Sequence, residues 1–177
     1  MKIVIAGGSG QVGHILGRWF HARGHEIAVF TRNPSRAPWR VVPWDGENPG
    51  AWISELEGSD VCINLAGRSV NCRYGRRNRR EIYESRINTT LLLNDVIASL
   101  SRPPPVWLNA STATIYRHAL DRAMDEHTGE LGGNEPDAPD TWNFSIHVAK
   151  SWEQAFFSRE IPGVRKIGMR SANHDES

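Results

Sequence analysis

The glycine-rich segment near the start of the chain constrains the fold more than any other feature of the sequence. The apolar run at 3–6 leads directly into Gly7-Gly8-Ser9-Gly10-Gln11-Val12-Gly13, and a helical pattern follows at once. In such a segment one glycine permits a tight turn, one lets the backbone approach a pyrophosphate, and one allows a helix to pack closely on a strand. The N–H groups that begin the helix then bind the phosphates. Dinucleotide binding is therefore the favoured interpretation, and a glycine-rich turn without a ligand is the alternative.

The rest of the chain alternates between short apolar segments and helical patterns. The predicted strands cover 3–6, 26–30, 40–44, 60–65, 105–109 and 164–169. The predicted helices cover 12–20, 49–57, 76–100 and 141–159. Short apolar strands that alternate with helices are typical of an α/β protein with a doubly wound parallel sheet. A chain of 177 residues favours one domain, which we expect over 1–171, with a tail at 172–177.

One long segment does not follow this alternation. Residues 117–140 are polar and acidic and show no clear periodicity. We expect a long loop between a strand and the last helix. Loops of this length often cover a binding site, although some are simply disordered.

The end of the second predicted strand bears on the type of dinucleotide. A site selective for NAD usually has Asp or Glu there, bonded to the ribose 2′-hydroxyl. This chain has Thr31-Arg32 instead. Because a guanidinium suits a 2′-phosphate, the sequence favours NADP over NAD. The alternative is that Arg32 is an ordinary exposed arginine.

Composition and motifs argue against several classes of protein. The formal net charge is +1, which does not indicate nucleic-acid binding. The two cysteines, Cys62 and Cys72, form no CxxC pair, and the seven histidines form no HExxH motif, so we expect neither a disulfide nor a metal site. No apolar run is long enough to span a membrane, and the first one is too short for a signal peptide. We therefore expect a cytoplasmic protein.

An arginine-rich segment at 73–86 has two interpretations. It could bind a nucleic acid or an acidic ligand, such as a phosphate-bearing substrate. No aromatic stacking platform accompanies it, however, and charge runs at the start of a helix usually face solvent. The solvated helix is the favoured interpretation.

Several motifs together resemble a known family. They are NLAG at 64–67, STATIY at 111–116, WDG at 44–46, ESRINTT at 84–90, RPPPVWLNAS at 102–111 and KSWEQA at 150–155. With the glycine loop, these segments resemble the extended, epimerase-like form of the short-chain dehydrogenase/reductase superfamily. Within it, they resemble an atypical branch commonly labelled epimerase-like or cell-division-inhibitor-like. The resemblance reaches to about residue 171.

The resemblance implies a fold and a set of cofactor-binding residues. The fold is a Rossmann domain with strand order 3-2-1-4-5-6 that binds NADP. Gly7, Gly10 and Gly13 would hold the pyrophosphate, and Arg32 would meet the 2′-phosphate. The other predicted cofactor-binding residues are Gln11, Val12, Thr31, Leu65, Ala66, Gly67 and Lys150.

The resemblance also implies catalytic positions, and here the chain departs from the family pattern. Thr112 stands where a catalytic serine orients the substrate oxygen, and Lys150 stands where the lysine of a YxxxK motif binds the nicotinamide ribose. The tyrosine of that motif is replaced by Ile146. Its acid–base role could pass to His147 or Tyr116, although we expect the first to be a surface residue and the second a packing residue.

A second departure is length. Extended members build most of their substrate lobe after the sixth strand, and this chain ends shortly beyond it. We expect most of that lobe to be missing, through truncation, a frameshift or fragmentation. The resemblance further implies a homodimer through the helices at 76–100 and 141–159.

Two functions follow from these expectations. The first is an NADP-dependent oxidoreductase or nucleotide-sugar epimerase acting on an unidentified small molecule, with hydride passing to or from C4 of the nicotinamide. The second is a non-enzymatic NADP-binding regulatory or interaction protein, or an inactive truncated enzyme. We expect neither a nucleic-acid nor a membrane partner.

Overall fold

A parallel β-sheet of six strands forms the centre of the fold. The computed structural model describes residues 1–172. The strands are β1 (Lys2–Ala6), β2 (Glu26–Thr31), β3 (Arg40–Pro43), β4 (Val61–Asn64), β5 (Val106–Thr112) and β6 (Arg165–Ser171). Their order is β3-β2-β1-β4-β5-β6, and all neighbouring pairs are parallel, which confirms the predicted order. Residues 173–177 of the predicted tail lie outside the described residues.

Four α-helices connect the strands and cover both faces of the sheet. They are α1 (Gln11–His21), α2 (Ile53–Leu56), α3 (Arg76–Ser99) and α4 (Asp140–Phe157). Successive residues of a strand point to opposite faces. Accordingly, Ile3 shares an apolar cluster with Leu16 of α1, whereas Val4 belongs to a second cluster with Leu93 of α3. No helix within residues 1–172 is both long and apolar enough to cross a membrane.

The fifth strand differs from its predicted bounds in a way that affects the site. The sequence predicts a strand over 105–109, whereas β5 continues to Thr112. The cause is β6, which pairs Ala110 with Met169 and Thr112 with Ser171. Thr112 is therefore the last residue of a paired strand and not part of the loop that follows.

The short predicted helix at 49–57 is a single turn. Only Ile53–Leu56 is helical. Gly58 follows with φ +69°, a left-handed conformation that reverses the chain towards β4.

The segment between β5 and α4 folds back along its own start. A 3₁₀ turn at Ala113–Ile115 follows β5 directly. Tyr116 and Leu131 form an isolated antiparallel bridge, and Arg117 N donates to Glu130 O at 2.8 Å. Gly132 N also donates to the carbonyl of Ile115 at 3.0 Å. These bonds hold the segment against the carboxyl end of β5.

A buried amide joins the carboxyl ends of β4 and β5. Asn64 and Asn109 are register partners and are almost fully buried. Asn64 Nδ2 donates to Asn109 Oδ1 at 2.7 Å and to Thr90 Oγ1 of α3 at 3.2 Å. Asn64 Oδ1 accepts from Ala66 N at 3.0 Å. One side chain therefore fixes two strands, a helix and the start of the loop after β4.

A second polar contact fastens the far end of α4 to the sheet. Lys166 Nζ donates to Asn94 Oδ1 at 2.5 Å and to the carbonyls of Phe156 and Arg159 at 2.7 and 2.6 Å. Phe156 lies in the last turn of α4, where backbone acceptors lack helical partners, and Arg159 follows the helix. Burial, together with the charge of Arg159, lowers the pKa of Lys166 to about 8.

The role of the Asn64 amide can be measured by replacing it with an isosteric apolar side chain. We expect Asn64→Leu to lower the free energy of unfolding by about 2–4 kcal/mol, because it leaves the buried polar atoms of Asn109 and Ala66 without partners. Urea unfolding followed by circular dichroism gives the value. Asn71→Leu, at an exposed residue whose side chain makes no hydrogen bond within 1–172, should change it by less than about 0.5 kcal/mol. Equal losses in the two variants would contradict the assignment.

Candidate functional site: a dinucleotide cavity

A cavity of about 590 Å³ opens at the carboxyl ends of β1, β2 and β4. Ligands of doubly wound sheets bind at this edge, where the connections on either side of the first strand diverge. Seven of the predicted cofactor-binding residues line the cavity. They are Gly7, Gly10, Thr31, Arg32, Leu65, Ala66 and Gly67.

The glycine loop is shaped by two close backbone approaches. Gly7 has φ +72°, and a Cβ there would lie 2.6 Å from Ala66 Cα. A Cβ on Gly13 would lie 2.3 Å from Gly8 O. Both distances exclude a side chain. The loop can therefore press against the segment after β4 on one side and against α1 on the other.

The N-terminus of α1 supplies backbone donors. The N–H groups of the first helical turn have no intrahelical acceptor, and the first backbone bond of α1 runs from His14 N to Gly10 O at 2.9 Å. The N–H groups before His14 therefore have no acceptor within the helix; they belong to Gln11, Val12 and Gly13. None of the three is among the cavity-lining residues, so any contribution they make is through the backbone at the helix start.

The end of β2 presents a free guanidinium to the cavity. Thr31 is buried, and its Oγ1 accepts from Asn33 N at 3.2 Å. Arg32 is exposed, lines the cavity and forms no ion pair with any residue of 1–172. The carboxylate of Asp45, which also lines the cavity, accepts hydrogen bonds within its own turn instead of pairing with Arg32. The bonds from the side chain and backbone of Asn48 and from Glu47 N lower the pKa of Asp45 to about 2.

The two predicted catalytic residues do not line this cavity. Thr112 is half-buried at the end of β5, and its hydroxyl donates to Thr114 Oγ1 at 2.9 Å and accepts from Thr114 N at 3.2 Å. It therefore caps the 3₁₀ turn that follows. A substrate oxygen would have to compete with Thr114 for this hydroxyl.

Lys150 and Ile146 lie one turn apart on α4 beneath the folded-back segment. Ile146 is 5% exposed. A Cβ on Gly133 would lie 3.2 Å from Ile146 Cγ2 and 3.5 Å from Lys150 Nζ. Within residues 1–172 Lys150 Nζ makes no hydrogen bond or ion pair. The pair of glycines at 132–133 thus covers the position that the missing tyrosine would occupy.

The two substitutes considered for that tyrosine have other contacts. His147 is exposed and stacks on Tyr83 with ring centroids 5.6 Å apart. Tyr116 is half-buried, and its hydroxyl accepts from Arg170 Nη1 at 2.8 Å. Their placement agrees with the expected surface and packing roles.

A polar network that the sequence did not suggest extends from Tyr116. Arg170 of β6 donates through Nε and Nη2 to both carboxylate oxygens of Glu153 on α4, at 2.8 and 2.7 Å. Ser111 Oγ donates to the same carboxylate at 2.6 Å. Burial alone would raise the pKa of Glu153, but the bonds from Arg170 and Ser111 outweigh it and lower this pKa. The network ties α4 to β5 and β6 beside Thr112.

Sequence reasoning also missed part of the cavity wall. Twelve further residues line it: Ser9, Asn33, Trp44, Asp45, Gly46, Glu47, Arg68, Glu81, Glu84, Ser85, Asn88 and Thr89. Some of them belong to motifs that the sequence had already indicated: the WDG motif at 44–46 and the ESRINTT motif at 84–90. Nothing in the sequence indicates that Arg68 and Glu81 meet.

Neither metal nor thiol chemistry has support within the described part of the chain. Residues 1–172 contain no group of three or more His, Cys, Asp or Glu side chains arranged to hold a metal ion. Both cysteines are free thiols, and burial raises the pKa of Cys62 to about 12.

With this geometry established, the chain can be compared with known proteins. A family model described as the NAD dependent epimerase/dehydratase family matches residues 3–139. The chain belongs to that epimerase/dehydratase family. This result confirms the resemblance to the short-chain dehydrogenase/reductase superfamily. The matched residues include the glycine loop, Arg32 and 65–67, whereas Lys150 lies beyond them.

Curated relatives of this family member are longer than the chain. The human protein named epimerase family protein SDR39U1 is 30% identical over 176 residues, which is 97% of this chain and 54% of that protein. The epimerase family protein YfhF of Bacillus subtilis (strain 168) is 29% identical over 173 residues, 96% of this chain and 54% of that protein. The chain thus spans about half the length of the curated relatives it matches.

A solved structure agrees with the fold of this family member. The crystal structure of human SDR39U1 (isoform 2) with NADPH superposes with a TM-score of 0.76 at 27% identity. The match covers 96% of this chain and 53% of that one.

The Glu153 network predicts a specific acid sensitivity. Because the folded pKa of Glu153 is lowered, its stabilising contribution is complete above the ordinary value of 4.5 and is lost as the pH falls through the folded value. We expect the free-energy difference between wild type and Glu153→Gln to shrink from about pH 6 to about pH 3, measured by urea unfolding. Glu160→Gln, at an exposed residue, should show no such trend. A difference that stays constant with pH would refute the assignment.

Proposed function

We propose that this chain is the NADP(H)-binding part of an oxidoreductase or nucleotide-sugar epimerase. The observation that carries the proposal is Arg32, an exposed guanidinium without an ion-pair partner in residues 1–172 that lines the cavity at the end of β2. At this position an acidic residue would favour NAD, whereas arginine complements a 2′-phosphate. The NADPH in the human relative's structure supports the same choice of cofactor.

The other parts of the cavity have roles that follow from their geometry. The pyrophosphate would lie at Gly10, where a Cβ would meet nothing within 4 Å and the free N–H groups of α1 begin. Leu65, Ala66 and Gly67 would contact the adenosine side. The bound cofactor would supply or accept hydride at C4 of its nicotinamide.

The residues for proton transfer are less complete than those for cofactor binding. Lys150 Nζ has no partner within residues 1–172 and would bind the nicotinamide ribose. Thr112 would orient a substrate oxygen after exchanging its bond to Thr114. Ile146 offers no proton, so this chain lacks the tyrosine that acts as general acid or base in the family pattern.

Because Ile146 cannot donate or accept a proton, its presence favours a second candidate, a non-enzymatic NADP(H)-binding protein. Its surface would respond to the cofactor without turnover. The two candidates differ in one observable, which is oxidation of NADPH in the presence of carbonyl compounds and sugar nucleotides. Turnover that is lost in Lys150→Met supports the enzyme, and cofactor binding without turnover of any compound supports the second candidate. The proposed homodimer through α3 and α4 is compatible with both.

The cofactor proposal predicts a selective effect at Arg32. We expect wild type to bind NADPH more tightly than NADH, and Arg32→Met to weaken NADPH binding about tenfold or more, since it removes a charge-assisted contact worth about 1.5–3 kcal/mol. Binding of NADH, which has no 2′-phosphate, should change by less than about twofold. Titration of the reduced nicotinamide fluorescence measures all four constants.

The control for this experiment is Arg36→Met. Arg36 is an exposed arginine of the same segment that does not line the cavity. Arg36→Met removes the same charge four residues from Arg32, so the affinities for NADPH and NADH should both stay within about twofold of the wild-type values. Equal losses for NADPH and NADH in Arg32→Met, or a preference for NADH in wild type, would overturn the assignment of the 2′-phosphate to Arg32.

A further inference from the structure

The cavity contains a second arginine that the family pattern does not account for. Arg68 follows Gly67 directly and lines the cavity. Its side chain is 32% exposed, and it forms an ion pair with Glu81 of α3, which also lines the cavity. Arg68 N donates to Ser85 Oγ at 3.0 Å, which anchors its backbone to the same helix. Arg68 is therefore held over the cavity between the loop after β4 and α3.

Glu81 is shared between two arginines. Arg68 Nη1 is buried and contacts Glu81 Oε2. The other oxygen of that carboxylate accepts from Arg77 Nε at 2.7 Å. A ligand oxygen that takes the place of Glu81 at Arg68 therefore leaves no buried N–H donor without an acceptor. Glu81 has a second cationic partner, so it remains paired when Arg68 is withdrawn.

The charges around the cavity favour a second cation beside a dinucleotide phosphate. Its ionisable lining residues are two arginines, Arg32 and Arg68, and four carboxylates, which are Asp45, Glu47, Glu81 and Glu84. A dinucleotide adds two negative charges on its pyrophosphate, and a 2′-phosphate adds about 1.5–2 more. Arg32 and the N-terminus of α1 oppose this total, and Arg86 packs its guanidinium against Gly67 without itself lining the cavity. Arg68 is the remaining cation that lines the cavity.

The loop that carries Arg68 is adjacent to the glycine loop. β1 and β4 are paired in register, with Ala6 opposite Asn64. The segments that follow the two strands therefore leave the sheet side by side, and Gly7 packs against Ala66. Arg68 follows two residues after Ala66 and lines the same cavity as Gly7 and Gly10.

From these observations we propose that Arg68 binds a phosphate group of the dinucleotide, and that Glu81 competes with the ligand for it. The inference rests on the proposed NADP(H) binding and adds a residue to it. A phosphate oxygen can take the place of the Glu81 carboxylate because it forms the same kind of charge-assisted bond with a guanidinium. The pair formed by Arg68 and Glu81 then acts on cofactor affinity and does not serve only to join the loop to α3.

A set of variants around this pair tests the proposal. We expect Arg68→Met, which keeps the aliphatic stem, to weaken NADPH binding about tenfold. Glu81→Gln should tighten it about threefold, because it removes the competitor. This gain should vanish in the double variant Arg68→Met/Glu81→Gln, because the gain requires Arg68. Fluorescence titration at constant ionic strength gives the affinities, and thermal unfolding confirms that each variant is folded.

Glu84→Gln is the matched control. Glu84 lies one turn further along α3, lines the same cavity and has a similar exposure, 42% against 38% for Glu81. Its partner is Arg80, at 2.8 Å, which does not line the cavity. Glu84→Gln removes the same charge without releasing Arg68. The gain in NADPH affinity should therefore be clearly smaller in Glu84→Gln than in Glu81→Gln.

The outcomes separate this inference from the function on which it depends. If wild type binds neither NADPH nor NADH, the proposed function fails. If wild type binds NADPH but Arg68→Met binds it equally well, or the double variant keeps the gain of Glu81→Gln, only the role of Arg68 is overturned. A loss in Arg68→Met that is larger for NADPH than for NADH assigns the contact to the 2′-phosphate, and equal losses assign it to the pyrophosphate.

Discussion

The buried amide of Asn64 is the contact on which the cavity depends. It is paired with Asn109 across the centre of the sheet, with Thr90 of α3 and with the backbone of Ala66. In a low-dielectric interior such bonds hold their partners firmly, because breaking one leaves a buried polar group unpaired. The position of Ala66 then sets the Gly7 contact, and the loop that begins there carries Arg68. One polar side chain thus links the sheet, a helix and the phosphate side of the cavity.

Local patterns in the sequence were enough to predict the sheet and to name seven of the residues that line the cavity. Apolar strands, the glycine loop and Arg32 are read from residues near each other in the chain, and motifs supplied the strand order. Contacts between distant segments could not be predicted in this way. The extension of β5 to Thr112 depends on pairing with β6, and the pair of Arg68 and Glu81 depends on how α3 packs beside β4. The bond from Arg170 to Tyr116 likewise joins residues 54 positions apart.

The residues proposed for cofactor binding form a more complete set than the residues proposed for catalysis. The glycine loop, the start of α1 and Arg32 have the geometry that a dinucleotide needs. On α4, by contrast, Ile146 is buried beneath the pair of glycines at 132–133, and the hydroxyl of Thr112 caps a 3₁₀ turn. Cofactor binding is accordingly the function with the strongest physical support. In the proposed enzyme, catalysis would depend on how Lys150 and Thr112 meet a substrate.

Phosphorus NMR of bound NADPH observes the 2′-phosphate itself and therefore shows directly whether Arg32 binds this group. In free NADPH this group has a second pKa of about 6, so the dianion takes up a proton as the pH falls through that value. We expect the 2′-phosphate resonance to be shifted in the complex and to titrate at lower pH, since the guanidinium of Arg32 stabilises the dianion. A bound 2′-phosphate that titrates at the same pH as in free NADPH would contradict the assignment of this group to Arg32.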